Sequence, residues 1–172
     1  MSSAPASPLY LPAKHAVRQS FGASAGTYDD HAFLQREIGD RLFERLDYVT
    51  VAPQRVVDIG SGTGYATEKL LARYAEATVT ALDIAHAMLE AARSKSAGPS
   101  MFRRLFGRHE RRRYVCADAE SLPFADATID LALSNLAMQW TDPVMDPAIV
   151  TRTHRPEGRR VGNECRSQRP TD

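Results

Sequence analysis

Between residues 30 and 48, apolar side chains recur every fourth position at Leu34, Ile38, Leu42 and Leu46, with Arg36, Asp40, Glu44 and Arg45 between them. That spacing predicts a helix with one apolar stripe, and Asp29 or Asp30 is placed to cap it. The pattern then changes. Arg55 to Ile59 is β-branched and apolar, predicting a strand, and it runs into a glycine cluster. A helix is predicted from Tyr65 to about Tyr74 with Leu70 and Leu71 inward, then a strand from Thr78 to Leu82 ended by Asp83. A helix from Ala85 to Arg93 follows, then strands Arg113 to Ala117, ended by Asp118, and Ile129 to Leu133, ended by Ser134 and Asn135. Strands alternating with helices predict an α/β fold: a doubly wound, mostly parallel sheet built from βαβ units, with helices on both faces.

Three stretches depart from this rhythm. Residues 1–13 are rich in Ser, Ala and Pro and are expected to be disordered. Residues 95–113 mix Arg103, Arg104, Arg108, Arg111, Arg112 and Arg113 with Met101, Phe102, Leu105 and Phe106. From Pro143 onward, thirty residues hold six arginines and four prolines but no leucine and no aromatic side chain. The expected organisation is one domain over 14–142 and an aberrant, disordered tail over 143–172. On that expectation the fourth strand is an edge with unpaired backbone groups.

Composition adds bounds rather than a function. The chain has 172 residues, 43% of them hydrophobic and 25% charged, which suits a single globular domain. A net charge of +1 does not point to nucleic acid. Two cysteines, Cys116 and Cys165, form no metal pattern, so no metal is expected and free thiols in a reducing compartment are. The first residues do not read as a signal peptide, and no apolar run approaches the ~20 residues of a membrane span. A cytoplasmic location with no membrane partner is the expectation.

The chemistry gathers at strand ends. Asp58-Ile59-Gly60-Ser61-Gly62-Thr63-Gly64 turns a strand directly into a helix, and its glycines admit close approach of a ligand to the backbone. Its spacing is G-x-G-x-G rather than the dinucleotide G-x-G-x-x-G, and Tyr65 stands where the third fingerprint glycine belongs. Asp58 would repel a pyrophosphate but attract a ligand ammonium, directly or through water. S-adenosylmethionine (SAM) has an α-amino group and no phosphate, so the pattern favours SAM over NAD; a purely structural turn is the bland alternative. Asp83, ending the second strand, is placed to accept from both ribose hydroxyls or to cap the next helix, and Ile84 follows it. Met88, one turn into that helix, is placed to pack on an adenine. Asp118, followed by Ala119 and Glu120, is placed to accept from the adenine amino group. Ser134 and Asn135 end the fourth strand near where a sulfonium would lie, and Gln139 or Trp140 is placed to face substrate, with core or rim packing the alternative for Trp140.

These residues resemble a known family. The glycine turn, Asp83, Asp118-Ala119-Glu120-Ser121-Leu122-Pro123-Phe124, Ile129-Asp130 and Ser134-Asn135 look like class I SAM-dependent methyltransferases. Arg18-Gln19-Ser20-Phe21, Thr27 to Glu37, and Ser134 to Trp140 are similar to the malonyl-acyl-carrier-protein O-methyltransferases that open the biotin precursor pathway. The resemblance covers roughly residues 14–143. It implies SAM as methyl donor and methylation of the free carboxylate of a malonyl thioester, which is already ionised and needs no general base. It also implies an amino-terminal segment folded over the cofactor, with Tyr28, His31 and Gln35 as lid candidates. Acyl carrier proteins are acidic, so Arg103, Arg104 and Arg108 are candidates for docking one by electrostatic steering, against the plainer reading of a solvated loop.

The resemblance stops after Pro143, where the family continues with a helix, an Arg-Pro-Gly-Gly-type turn and three more strands. His154 to Arg159 is only a faint echo of that turn, and the tail's composition is what an out-of-frame reading would give, so a frameshifted or truncated product is the expectation. Two other functions stay open: another class I methyltransferase with a small acceptor such as a quinone precursor, and a non-catalytic remnant or NAD-binding module. Nucleic-acid modification is disfavoured, because Ser134-Asn135-Leu136-Ala137 is not the Asn/Asp-Pro-Pro-Tyr-type step that holds a flipped base.

Overall fold

The computed structural model describes residues 12–96 and 111–141 and the backbone of 148–151. Among them are helices α1 (Lys14–Ser24), α2 (Tyr28–His31), α3 (Phe33–Arg45), α4 (Tyr65–Arg73) and α5 (His86–Ser96). Strands are β1 (Arg55–Ile59), β2 (Thr78–Asp83), β3 (Arg112–Cys116), β4 (Leu131–Ser134) and β5 (Ala148–Thr151). The sheet order is β3-β2-β1-β4-β5, with β1 to β4 parallel. The chain moves outward from β1 through β2 to β3 and then returns to the other side of β1. The gap between the carboxyl ends of β1 and β4 is therefore the topological switch point, where such sheets bind ligands.

β1 shows how the alternation of a strand builds two layers. Val56 joins a core with Leu42 and Leu46 of the α3 region, Leu70 of α4, Val79 of β2 and Leu131 and Leu133 of β4. Val57 and Ile59 point the other way and pack with Leu82, Val115, Phe124, Ile129 and Met138. Asp130 fastens the start of β1, accepting from the backbone N–H groups of Gln54 (3.0 Å) and Arg55 (2.9 Å).

Four expectations change. Leu34, counted in the apolar stripe of α3, is 60% exposed; Gly39, Leu42 and Leu46 form its buried side. Neither Asp29 nor Asp30 caps α3, whose N-cap is Ala32 without a side-chain bond. Helices do not cover both faces among the described residues. Both crossovers, β1–α4–β2 and β2–α5–β3, move the same way along the sheet, so right-handedness places α4 and α5 on one side. The return from β3 to β4 is too short and too lacking in helical periodicity to make a helix, and its residues Ala117, Ala119, Phe124 and Ile129 cover the second core as loop. Finally, β4 is not an edge. The run Ala148-Ile149-Val150-Thr151 pairs antiparallel with it, Leu131 opposite Thr151 through Ser134 opposite Ala148, so the regular fold extends past residue 142. The rest of the tail and the basic residues Arg103, Arg104 and Arg108 lie outside the described residues.

Candidate active site

The glycine turn leaves β1 in a left-handed conformation that only glycine adopts without strain. Gly60 has φ +70°, and a Cβ there would stand 2.0 Å from the Cβ of Ala137. Gly62 has φ +52°, and its missing Cβ would point toward the Tyr28 ring, 3.8 Å away. The turn is pinned to β2, with the N–H groups of Gly60 (2.8 Å) and Ser61 (3.0 Å) donating to the carbonyl of Leu82.

A cavity of about 260 Å³ opens at the switch point. Gly60 and Gly62 form its floor, Asp83, Ile84 and Met88 one wall, Asp118 and Ala119 the far end, and Asn135, Gln139 and Trp140 the opposite wall. Tyr28 and Gln35 close it from the amino-terminal side. Twelve residues singled out in the sequence thus meet in one place. A smaller space of about 40 Å³ adjoins it, lined in part by Asp58, Ser61, Tyr28, Gln35 and Asn135.

Not every sequence candidate faces the cavity. Asp58 alternates to the helix side of β1, is 1% exposed, and accepts from Thr67 Oγ1 of α4 at 2.6 Å. Burial, reinforced by the nearby charge of Asp83, pushes its carboxyl up to about 7. It borders only the smaller space. Ser134 is buried and its hydroxyl donates to the carbonyl of Ile59 at 3.1 Å, tying β4 to β1. Gly64 is the left-handed N-cap of α4. Glu120 pairs with Lys14, and His31 is exposed on α2.

Asp83 holds both roles its position suggests. Its Oδ2 accepts from the N–H of Gly62 and its Oδ1 from the N–H of Ala85, each at 2.8 Å, so it braces the glycine turn and the entry to α5 while still lining the cavity. Burial raises its pKa. Asp118 is similarly engaged: Oδ1 accepts from the N–H of Glu120 at 2.9 Å and Oδ2 from Lys14. A carboxylate has about four acceptor sites, so both acids keep lone pairs for a ligand.

The sequence reading missed the depth of the amino-terminal contribution. Lys14, Val17 and Phe21 of α1 line the cavity. The Phe21 ring meets Trp140 edge-on at 5.8 Å and Tyr28 at 6.4 Å, so Trp140 both packs and lines the site. Leu136, also in the wall, takes φ +60°, a conformation that costs a non-glycine residue about 1–2 kcal/mol. Gly39 of α3 is another unforeseen part. A Cβ there would come within 2.9 Å of Asn135 Nδ2, which instead donates to the carbonyl of Gln35 at 2.8 Å.

Three buried side-chain atoms around the glycine turn have no hydrogen-bond partner among the described residues: Gln35 Oε1, Ser61 Oγ and Asn135 Oδ1. Leaving such an atom unpaired costs about 1–3 kcal/mol. Two carbonyl oxygens and a hydroxyl form an acceptor-rich set suited to an ammonium group. With the glycine floor and the acids at the ends of β2 and β3, the residues fit an aminoacyl nucleoside such as SAM.

A sequence profile described as a methyltransferase domain matches residues 57–160. The chain belongs to that family. Methyltransferase domains of known fold agree: a crystal structure of a Methanococcus maripaludis protein, ascribed to the S-adenosyl-L-methionine-dependent methyltransferases, superposes with a TM-score of 0.51 at 24% identity. That match covers 66% of this chain and 49% of the other and shows the common fold. Among curated proteins, the malonyl-[acyl-carrier protein] O-methyltransferase of Methylovorus sp. (strain MP688) is 50% identical over 151 residues. The overlap is 87% of this chain and 49% of the relative. The enzyme of the same name from Laribacter hongkongensis (strain HLHK9) is 48% identical over 142 residues, covering 83% of this chain and 46% of the relative. This methyltransferase domain therefore spans about half the length of the curated relatives it matches. Among the described residues no helix is long and apolar enough to cross a membrane, and no cluster of His, Cys, Asp and Glu is arranged to hold a metal.

Proposed function

We propose that this methyltransferase domain binds SAM at the switch-point cavity and supplies the cofactor half of an enzyme that esterifies the free carboxylate of malonyl-acyl carrier protein. The observation that carries the reading is the cavity itself, in which the glycine turn, Asp83, Asp118 and the orphaned acceptors of Gln35 and Asn135 meet under an amino-terminal cover, with Ser61 in the space adjoining it. The acceptor class is supported by 50% identity to a malonyl-[acyl-carrier protein] O-methyltransferase over 87% of this chain.

SAM, when bound, supplies an electrophilic methyl group on a sulfonium. The chain's own residues bind, orient and exclude water. Gln35, Ser61 and Asn135 accept from the ammonium, Asp83 from the ribose, and Asp118 from the adenine amino group, with Ile84, Met88 and Ala119 packing on the base. Gln139 and Trp140 border the acceptor's approach, and Phe21 and Tyr28 keep solvent from the reacting end. An ionised carboxylate needs no base from the protein, so catalysis here is placement and desolvation. Arg103, Arg104 and Arg108 remain the proposed docking cations for an acidic carrier.

Titration calorimetry with SAM and S-adenosylhomocysteine on the full chain tests the cofactor reading, with NADH alongside. Saturable binding of the two sulfur compounds and none of NADH is expected; the reverse would overturn it. A panel of malonyl-acyl carrier protein, malonyl-CoA and a quinone precursor, each with methyl-labelled SAM, tests the acceptor. Label transferred to the quinone precursor alone would replace the malonyl reading.

A further inference from the structure

The amino-terminal segment is fastened to the glycine turn and α5 at a point outside the main cavity, beside the smaller space that adjoins it. Asp29, on α2, accepts from Thr63 Oγ1 at 2.7 Å, pairs with Lys95 of α5, and lies 3.4 Å from Arg36 Nη2 of α3. Lys95 also reaches the carbonyl of Thr63. Thr63 sits between Gly62 and Gly64 and is 6% exposed. One carboxylate therefore gathers α2, α3, α5 and the glycine turn. Burial alone would raise its pKa, but its bonds to Lys95 and Thr63 and the charges of Lys95 and Arg36 outweigh that and hold it low. It is ionised at neutral pH, and two of its three side-chain partners are cations.

The placement matters because of what stands on either side. Tyr28, the preceding residue, is the ring over Gly62. Phe21 links Tyr28 to Trp140 across the cavity mouth. The geometry points to Asp29 as a positioning residue: by clamping α2 to Thr63 it holds Tyr28 and Phe21 across the mouth and sets how fast the cavity's occupant leaves. Asp29 lies outside the main cavity and borders only the smaller space beside it, its oxygens engaged by Thr63, Lys95 and Arg36. It acts through Tyr28 and the glycine turn, so its loss changes release more than entry.

The chain has one tryptophan, and it is the residue the cover rests on. Acrylamide quenching of Trp140 in the ligand-free full chain therefore reads the cover directly. Asp29→Asn and Lys95→Met are each expected to increase quenching and to speed release of S-adenosylhomocysteine in stopped flow by about fivefold, with a smaller change in association rate. The charge-exchanged pair Asp29→Lys with Lys95→Asp is expected to restore part of the protection. Asp47→Asn, which breaks the Arg73–Asp47 pair on the helix surface away from the cavity, should change neither. A general loss of stability would lower the melting temperature of all three single variants without this selectivity. Unchanged quenching and release in both Asp29→Asn and Lys95→Met, with a cooperative melt retained, would overturn the clamp. The release measurement rests on the SAM reading, but quenching does not. A wild-type chain that fails to bind S-adenosylhomocysteine would refute that reading and still leave quenching to decide the clamp.

Discussion

Thr67 on α4 donates its hydroxyl to Asp58 on β1 at 2.6 Å, and each residue is 1% exposed. The acid that opens the glycine motif is thus a partner of the helix that follows the motif. Its carboxyl lies at about 7 because burial disfavours its charge. The native state therefore holds this proton more tightly than the unfolded chain. Its stabilising effect is fully present below about pH 4 and is lost as pH rises through about 7. Asp83, also raised by burial, acts in the same sense. Melting temperature measured across that range should fall less steeply with pH in Asp58→Asn, whose amide oxygen still accepts from Thr67. Thr67→Val should cost about 1–3 kcal/mol at neutral pH, since it strips that bond from a buried carboxylate. A parallel pH slope in Asp58→Asn would show that other groups set it.

Gly60→Ala tests the turn. Its new Cβ falls 2.0 Å from that of Ala137, at a φ that an alanine resists. Either the turn or the Leu136–Ala137 step must move, and both line the cavity. Binding of S-adenosylhomocysteine should drop at least about a hundredfold by calorimetry, equivalent to about 2.7 kcal/mol. Gly26→Ala, in open space on the amino-terminal segment, serves as the comparison and should bind normally.

Lys14 and Asp118 separate ionic fastening from ligand recognition. Lys14→Met removes exposed pairs to Asp118 and Glu120, which solvent screens, so only a small loss of affinity is expected, fading as salt is raised. Asp118→Asn replaces the proposed acceptor for the adenine amino group and should weaken binding at every salt concentration. Equal salt dependence in the two variants would argue against that division.

Packing offers an independent check on α3 and α4. Leu70 is fully buried among Val56, Val79 and Leu131, so Leu70→Ala should destabilise by about 2–5 kcal/mol in denaturant unfolding. Leu34→Ala, on an exposed side chain, should fall within about 0.5 kcal/mol of wild type.

Short-range pattern determined a good deal of this protein. β1 spans the predicted residues, and α4, α5 and the other parallel strands lie within a few positions of their expected bounds. Period-2 and period-3.6 alternation and glycine punctuation are local signals. The same signals brought the acids of β2 and β3 to one end of a parallel sheet, and the cavity forms there. Tertiary structure decided what those acids do. Strand alternation turns Asp58 toward α4 instead of the cavity, and Asp118 meets Lys14 from 104 positions away. Asp29 is no helix cap, because two cations and Thr63 on separate elements claim its oxygens. β5 pairs with β4 although its four residues stand within a run whose composition suggests no order, since an open strand edge rewards any short β-branched segment that reaches it. In each case the deciding partner is distant in sequence, so no local pattern carries it.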